Sequence, residues 1–336
     1  MTEAAAARDS TSAESPTSPD DPPSSSSPRP LFLQLVVGPP GSGKTTYCAA
    51  MSQLCAVLGR RHLVVNLDPA VDHQESPPYT ADVDVRDLVA AETVMQRWAL
   101  GPNGALTYCL EYLLENVDWL QTRLQTLREG DSGDPVDYVI VDMPGQVELY
   151  SHHHAASELV RRLCRSTDAA PALDVRGVCV NLIDSQCCAD AGKYLASSLV
   201  ALMTMLRMEL PHVNVLSKVD LFEAEYARQM AALDHDDDEE GRTAPGALFA
   251  LDFYTEAMDL DTLLPHLDAK YARLNRAVVA LLNDYGLVRF HPASVADIAS
   301  LQAVLEAADR ACGYCFAERD WRRQAADAEA APASDK

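Results

Sequence analysis

Leu31-Phe32-Leu33-Gln34-Leu35-Val36-Val37 runs directly into Gly38-Pro39-Pro40-Gly41-Ser42-Gly43-Lys44-Thr45. The first seven residues are almost continuously apolar. That pattern marks a strand buried on both faces, and so a parallel sheet. The next eight match every fixed position of a phosphate-binding loop, and a helical pattern follows them. The glycines let successive backbone N–H groups turn inward. The following helix presents its positive dipole end to an anion. Lys44 is placed to reach the β- and γ-phosphates of a nucleoside triphosphate, and the Thr45 hydroxyl to bind Mg²⁺. Thr46 is grouped with the nucleotide-binding residues.

Further apolar runs continue the pattern. They are Leu63 to Leu67, Tyr138 to Val141, Val178 to Ile183, Val213 to Leu216 and Leu287 to Phe290. Helical spacings lie between them, such as Cys48, Met51, Cys55 and Leu58 on one face. Strands alternating with helices predict an α/β fold, a three-layer P-loop NTPase with a mostly parallel sheet and helices on both faces. Residues 1–29 are rich in Ser, Thr and Pro and read as a disordered leader. Residues 30–318 form the domain, with an insert at about 70–130 and an acidic, solvated loop at 234–246. Residues 319–336 read as a frayed tail.

Two strands deliver carboxylates. Asn66-Leu67-Asp68-Pro69-Ala70 puts Asp68 just past a strand's carboxyl end, where ligands bind in open α/β sheets. Asp68 is a candidate for positioning Mg²⁺ water or the attacking water. Val139-Ile140-Val141-Asp142 ends in the pattern of an Asp that holds Mg²⁺ through water. In the continuation Met143-Pro144-Gly145-Gln146, Gly145 can offer its N–H to the γ-phosphate. Gln146 can orient the lytic water, because an amide both donates and accepts. Glu148 is close enough in sequence to join that network.

Ser217-Lys218-Val219-Asp220 looks like a base-reading box. The Asp220 carboxylate can accept from guanine N1–H and the 2-amino group. Adenine lacks donors at those edges. Lys218 can lay its stem along the base. The commoner box has Asn where this chain has Ser217, which weakens the guanine reading of the box alone. Pro292-Ala293-Ser294 offers backbone groups for guanine O6, with Ala293 at its centre.

The formal net charge of the 336 residues is −23 and the pI about 4.6. Such a surface repels nucleic acid and anionic membrane. No apolar run approaches membrane-spanning length, and no secretory signal is visible. Nine Cys without a disulfide-like framework read as reduced thiols in a cytosolic protein.

Leu100-Gly101-Pro102-Asn103-Gly104 lies in the insert. Together with Val65 to Ala70, Asp142 to Leu149, Glu209 to Asp220 and Gly313-Tyr314-Cys315-Phe316, it makes the chain resemble the GPN-loop GTPases from about Leu33 to Phe316. In one eukaryotic branch of that family Ser is usual at the position of Ser217. The resemblance implies GTP as substrate, GDP as product, Mg²⁺ as cofactor and slow hydrolysis. It also implies a dimer, either of identical chains or with another GPN-loop GTPase. Asn103 of one subunit would then act on the nucleotide of the other. The family is associated with assembly and nuclear delivery of RNA polymerases, chiefly II and also III. Polymerase subunits or assembly factors would be the partners, with no direct contact to nucleic acid or membrane. Location would be cytoplasmic, with shuttling to the nucleus left open.

Two other readings compete with a hydrolysing switch. One is a GTP-dependent assembly scaffold that needs no turnover. The other is a small-molecule kinase, for which no acceptor site or Arg-rich lid is visible. His152-His153-His154 cannot share one face and reads as loop or helix start. Cys312-Gly313-Tyr314-Cys315 and Cys187-Cys188 read as packing. Leu248 to Tyr254 reads as core or partner surface, with partner surface preferred.

Overall fold

The structure is a computed structural model that describes residues 29–70, 77–129, 136–164, 174–233, 249–257, 259–319 and 321. The expected leader up to residue 28, the acidic loop at 234–246 and residues 322–336 of the expected tail lie outside them.

Seven strands form one sheet: β1 (Leu31–Val37), β2 (His62–Asn66), β3 (Val83–Asp84), β4 (Tyr138–Asp142), β5 (Val175–Asp184), β6 (His212–Ser217) and β7 (Phe290–Ala293). Their spatial order is β3-β2-β4-β1-β5-β6-β7. Every pair is parallel, so "mostly parallel" becomes entirely parallel among the described residues. The helices are α1 (Lys44–Val57), α2 (Ala91–Trp98), α3 (Pro102–Glu115), α4 (Val117–Glu129), α5 (Glu148–Ser151), α6 (Ala155–Cys164), α7 (Ala191–Met208), α8 (Val219–Leu233), α9 (Leu251–Glu256), α10 (Ala272–Tyr285) and α11 (Ile298–Cys312).

The continuous apolar run of β1 has a simple cause. Leu31, Leu33, Leu35 and Val37 point into a core shared with Leu113 of α3, Leu120 of α4 and Leu159 of α6. Phe32 and Val36 point the other way, onto Met51 of α1 and Val304 of α11. Strand side chains alternate between faces, so a strand covered on both sides must be apolar at every position. Gln34 is the exception, fully buried with its Nε2 donating to Tyr47 Oη at 3.2 Å. A third core joins Tyr194 and Leu202 of α7 to Phe222 of α8 and Leu282 of α10.

Some expectations shift. The two-residue strand β3 has no apolar run to betray it. The last strand starts at Phe290, three residues later than read; Leu287 is 53 % exposed in the approach to it. Cys48, Met51 and Cys55 are buried as expected, but Leu58 caps the end of α1 and faces solvent. The preferred partner-surface reading of Leu248 to Tyr254 gives way to core over Phe249 to Tyr254, while Leu248 lies outside the described residues. Tyr254 is buried and its hydroxyl accepts from Phe249 N–H, while Phe249, Leu251 and Phe253 pack against the third cluster. In the segment expected to fray, Trp321 packs edge-on to Phe32 and Tyr314.

Because all strands run one way, their carboxyl ends lie along one edge. That edge carries the loops after β1, β2, β4, β5, β6 and β7.

Candidate nucleotide-binding site

The loop after β1 closes on a helix end without a capping side chain. α7 and α11 begin with Asp190 and Asp297, whose carboxylates accept from the first backbone N–H groups. α1 begins with Gly43, left-handed at φ 89°, with no side-chain cap and no acidic residue in its first turn. Its orphan donors are thus left for an anion. Gly38 is sterically compelled as well. A Cβ there would stand 2.3 Å from the Leu182 carbonyl oxygen.

Lys44 is buried, and its Nζ donates to the Pro39 carbonyl at 3.0 Å. Burial pulls its pKa down, while Asp142 and Asp68 oppose the shift. A Cβ on Gly145 would come within 2.8 Å of that Nζ. The lysine, the two carboxylates and the Pro144-Gly145-Gln146 turn therefore converge. The turn is held from behind by the Tyr150 hydroxyl, which donates to the Pro144 carbonyl.

Val36 and Asp142 are partners in the β1–β4 register, which sets the carboxylate beside the loop. Asp142 is 2 % exposed; its Oδ2 accepts from Tyr79 Oη at 2.9 Å and its Oδ1 is buried without a partner. Burial pushes its pKa up to about 6, with the Tyr79 and Thr45 hydroxyls pulling the other way. A buried carboxylate oxygen without a partner, on a group that also feels the Thr45 hydroxyl, fits a hard divalent cation such as Mg²⁺, which takes oxygen ligands and waters. Ser42 Oγ is likewise buried without a partner.

Asp68 is held in a tight net. Its N–H donates to Asn66 Oδ1 at 3.0 Å, and its Oδ1 accepts from Ala70 N–H at 2.9 Å. Asn66 Nδ2 in turn donates to Asp84 Oδ2 at 3.1 Å, and Arg86 grips the same carboxylate. Burial raises the Asp68 pKa, opposed first by the Ala70 N–H and then by Lys44.

Ser217 resolves the oddity of the base box. Its Oγ donates to the Ser42 carbonyl at 2.8 Å and lies 3.1 Å from the Ile183 carbonyl. The serine thus ties box to loop. Lys218, left-handed at φ 58°, donates from Nζ to the Gly41 carbonyl and to Asp184 Oδ2, each at 2.7 Å. Between box and loop lies a cavity of about 160 Å³ lined by Thr46, Tyr47, Leu182, Lys218, Asp220 and Ala293. A larger cavity of about 830 Å³ opens between α7 and α8 but touches the loop only at Pro39.

The expected offer of donors from Pro292-Ala293-Ser294 shrinks. Proline has no N–H, and the Ser294 N–H donates to Ser300 Oγ at 3.1 Å. Glu148 is exposed, and no side chain of the site hydrogen-bonds its carboxylate among the described residues. Gly101, Pro102, Asn103 and Gly104 are exposed at the start of α3. Asn103 reaches a site within its own chain: its Oδ1 accepts from Gln146 Nε2 at 2.9 Å. The His residues fall at the end of α5 and before α6. His153 Nε2 meets Glu111 at 3.0 Å, and no metal-ligating cluster exists among the described residues.

Three contributors escaped the sequence reading. Asp184 ends β5 as Asp142 ends β4, so that signal was present. Asn66 was visible only as part of a motif. Tyr79 sits in a short aperiodic segment and carries no signal at all.

A family described as "conserved hypothetical ATP binding protein" matches residues 36–314. GPN-loop GTPase 2 of Xenopus laevis is 44% identical over 292 residues, covering 85% of this chain and 80% of that protein. GPN-loop GTPase QQT1 of Arabidopsis thaliana is 41% identical over 295 residues, covering 86% and 88%. The chain belongs to the GPN-loop GTPase family. A solved GTPase in apo form from Pyrococcus abyssi shares the fold, with a TM-score of 0.60 at 22% identity over 84% of this chain and 98% of that one. The family description speaks of ATP and the relatives' names of GTP. In this GPN-loop GTPase, Asp220 lies on the wall of the cavity between box and loop.

Proposed function

We propose that this chain binds GTP with Mg²⁺ and hydrolyses it as a dimeric switch. The observation that carries the reading is the joint between loop and box. Ser217 and Lys218 bond the backbone of Ser42 and Gly41, and Asp220 lines the same cavity as Gly43 and Thr46. A base seated there places its N1 and C2 edges toward a carboxylate, which favours guanine over adenine. The phosphates would lie on the open end of α1 and Lys44. Asp142 and Thr45 would hold Mg²⁺, which supplies charge neutralisation on the phosphates.

Hydrolysis then depends on placing a water. Gln146 Nε2 is engaged by Asn103 in the single chain, and its Oε1 can accept from a water whether or not that bond is kept. Asp68 stands near Lys44 and can accept the other proton. Slow turnover fits a site without an arginine finger among these residues.

The dimer draws support from the surface around the loop. Trp98 is 55% exposed, and Leu100 and Tyr112 are also exposed beside Gly101 to Gly104. In a dimer Asn103 would exchange its own-chain Gln146 for the partner's site. The role in RNA polymerase II and III assembly and nuclear delivery, with polymerase subunits or assembly factors as partners, rests on the family resemblance. A cytoplasmic location with shuttling to the nucleus rests on it too. No described helix is long and apolar enough to cross a membrane.

Asp220→Asn tests the base assignment. An amide donates where xanthine carries a C2 carbonyl, so the variant should lose GTP and gain xanthosine triphosphate. Unchanged GTP affinity would sink the reading. Gln146→Leu should bind GTP normally and turn over at least tenfold more slowly, as expected for loss of a positioned group. If it supports polymerase assembly in cells as well as the unsubstituted chain, turnover is dispensable and the scaffold reading replaces the switch.

A further inference from the structure

The geometry points to Tyr79 as a positioning residue for the metal: its hydroxyl fixes the Asp142 carboxylate so that Oδ1 alone faces the cation. The inference rests on the Mg²⁺·GTP reading above.

A carboxylate at a strand end can turn about its last bond, and either oxygen can then face a ligand. Here the turn is stopped. Tyr79 Oη donates to Oδ2 at 2.9 Å, and Oδ1 is left buried with no partner. A metal-bound water is a donor, and the orphaned oxygen is the acceptor it requires. Partners that orient a metal ligand in this way set its geometry and are not ligands themselves.

Tyr79 is itself held at both ends. Its ring packs against the apolar cluster that contains Cys48 and Met51 of α1. Three residues on, Asp82 clasps β2 through two bonds: Val64 N–H donates to Asp82 Oδ2 at 2.7 Å, and Asp82 N–H donates to the Val64 carbonyl at 2.8 Å. A tyrosine fixed by its ring and by its backbone neighbour holds its hydroxyl in one place. Its segment belongs to the connection that leaves Asp68 and returns as β3. The group that aims the metal ligand therefore sits on the same connection as the carboxylate beside the γ-phosphate.

Tyr79→Phe keeps the ring and removes the hydroxyl. Dissociation of a fluorescent GDP is followed at graded Mg²⁺ on the full chain, with melting confirming the fold. The Mg²⁺-free rate should stay within about twofold, because the loop and the base box are untouched. The Mg²⁺ concentration that half-maximally slows release should rise roughly tenfold, the low end for losing such a partner. Mn²⁺ bound to the GDP complex, read by its electron paramagnetic resonance, should weaken in parallel. An unchanged Mg²⁺ requirement overturns the inference. So does a faster Mg²⁺-free release with no shift in that requirement, which marks Tyr79 as packing only. If the unsubstituted chain holds no guanine nucleotide, the proposed function fails and this inference falls with it.

Discussion

Asp142 and Asp309 are both buried carboxylates, 2% and 7% exposed, at opposite edges of one sheet. Asp309 lies where β2 and β4 begin. Both its oxygens are taken by Arg60, at 2.9 and 2.6 Å, and the guanidinium lies 4.8 and 4.1 Å from the ring centres of Tyr138 and Tyr314, which meet edge to face. Asp142 lies where β4 ends. One of its oxygens has a hydroxyl and the other has nothing. The Asp309 carboxylate is saturated and the Asp142 carboxylate is left open, alongside an uncapped helix and an orphaned Ser42 hydroxyl. Burying a polar group without a partner costs free energy, so a site that keeps several of them is built for something that arrives later.

The contrast can be broken most severely at the saturated carboxylate. Asp309→Ala strands a buried guanidinium and should cost about 3–5 kcal/mol of stability. Chemical denaturation measures that loss, and nucleotide affinity of the folded fraction should be unchanged. A drop in affinity would show that the two edges are not separate.

Lys44→Ala should act the other way round. Nucleotide affinity falls on the order of 100-fold with loss of a charged phosphate donor, about 2.7 kcal/mol. Stability without nucleotide holds or rises, since a desolvated ammonium is removed. Calorimetric titration and melting read the two effects.

Asp142 gives the contrast a pH signature. Its pKa is raised to about 6 from the usual 3.8. Below both values the carboxyl is neutral whether the chain is folded or not. As pH rises between them, the unfolded chain loses a proton that the folded chain keeps, so stability falls and then levels off above about 6. Asp142→Asn should therefore be more stable than the metal-free parent at pH 7, on the order of 1–3 kcal/mol, and equal to it near pH 4. It should also lose the Mg²⁺ dependence of GDP release. The smallest effect is expected at Ser217→Ala. Losing the bond to the Ser42 carbonyl should weaken GDP binding by about 1 kcal/mol, a few-fold, visible in the dissociation rate.

The surroundings of the two carboxylates were not equally legible beforehand. β1 and its loop could be read because burial on both faces forces an unbroken apolar run, and because phosphate binding forces glycine where Leu182 crowds the backbone. Asp68, Asp142 and Asp220 could be read because each closes a strand or follows one. β3 could not, since two residues make no pattern, and the late start of β7 hid behind the apolar Leu287-Val288. The Arg60–Asp309 pair spans most of the chain and leaves no local trace. Tyr79 meets Asp142 only because the connection folds back over the sheet edge. Asn103 was read as a residue for a neighbouring subunit, and the single chain shows it bonded to its own Gln146.

Equilibrium binding of GTP and ATP to the full chain in Mg²⁺ tests the central claim most directly. A cavity lined by the exposed Asp220 should hold GTP at least about 100-fold more tightly, because a base that covers this carboxylate must pair with it or leave it unpaired. Equal affinity for the two nucleotides would contradict the account.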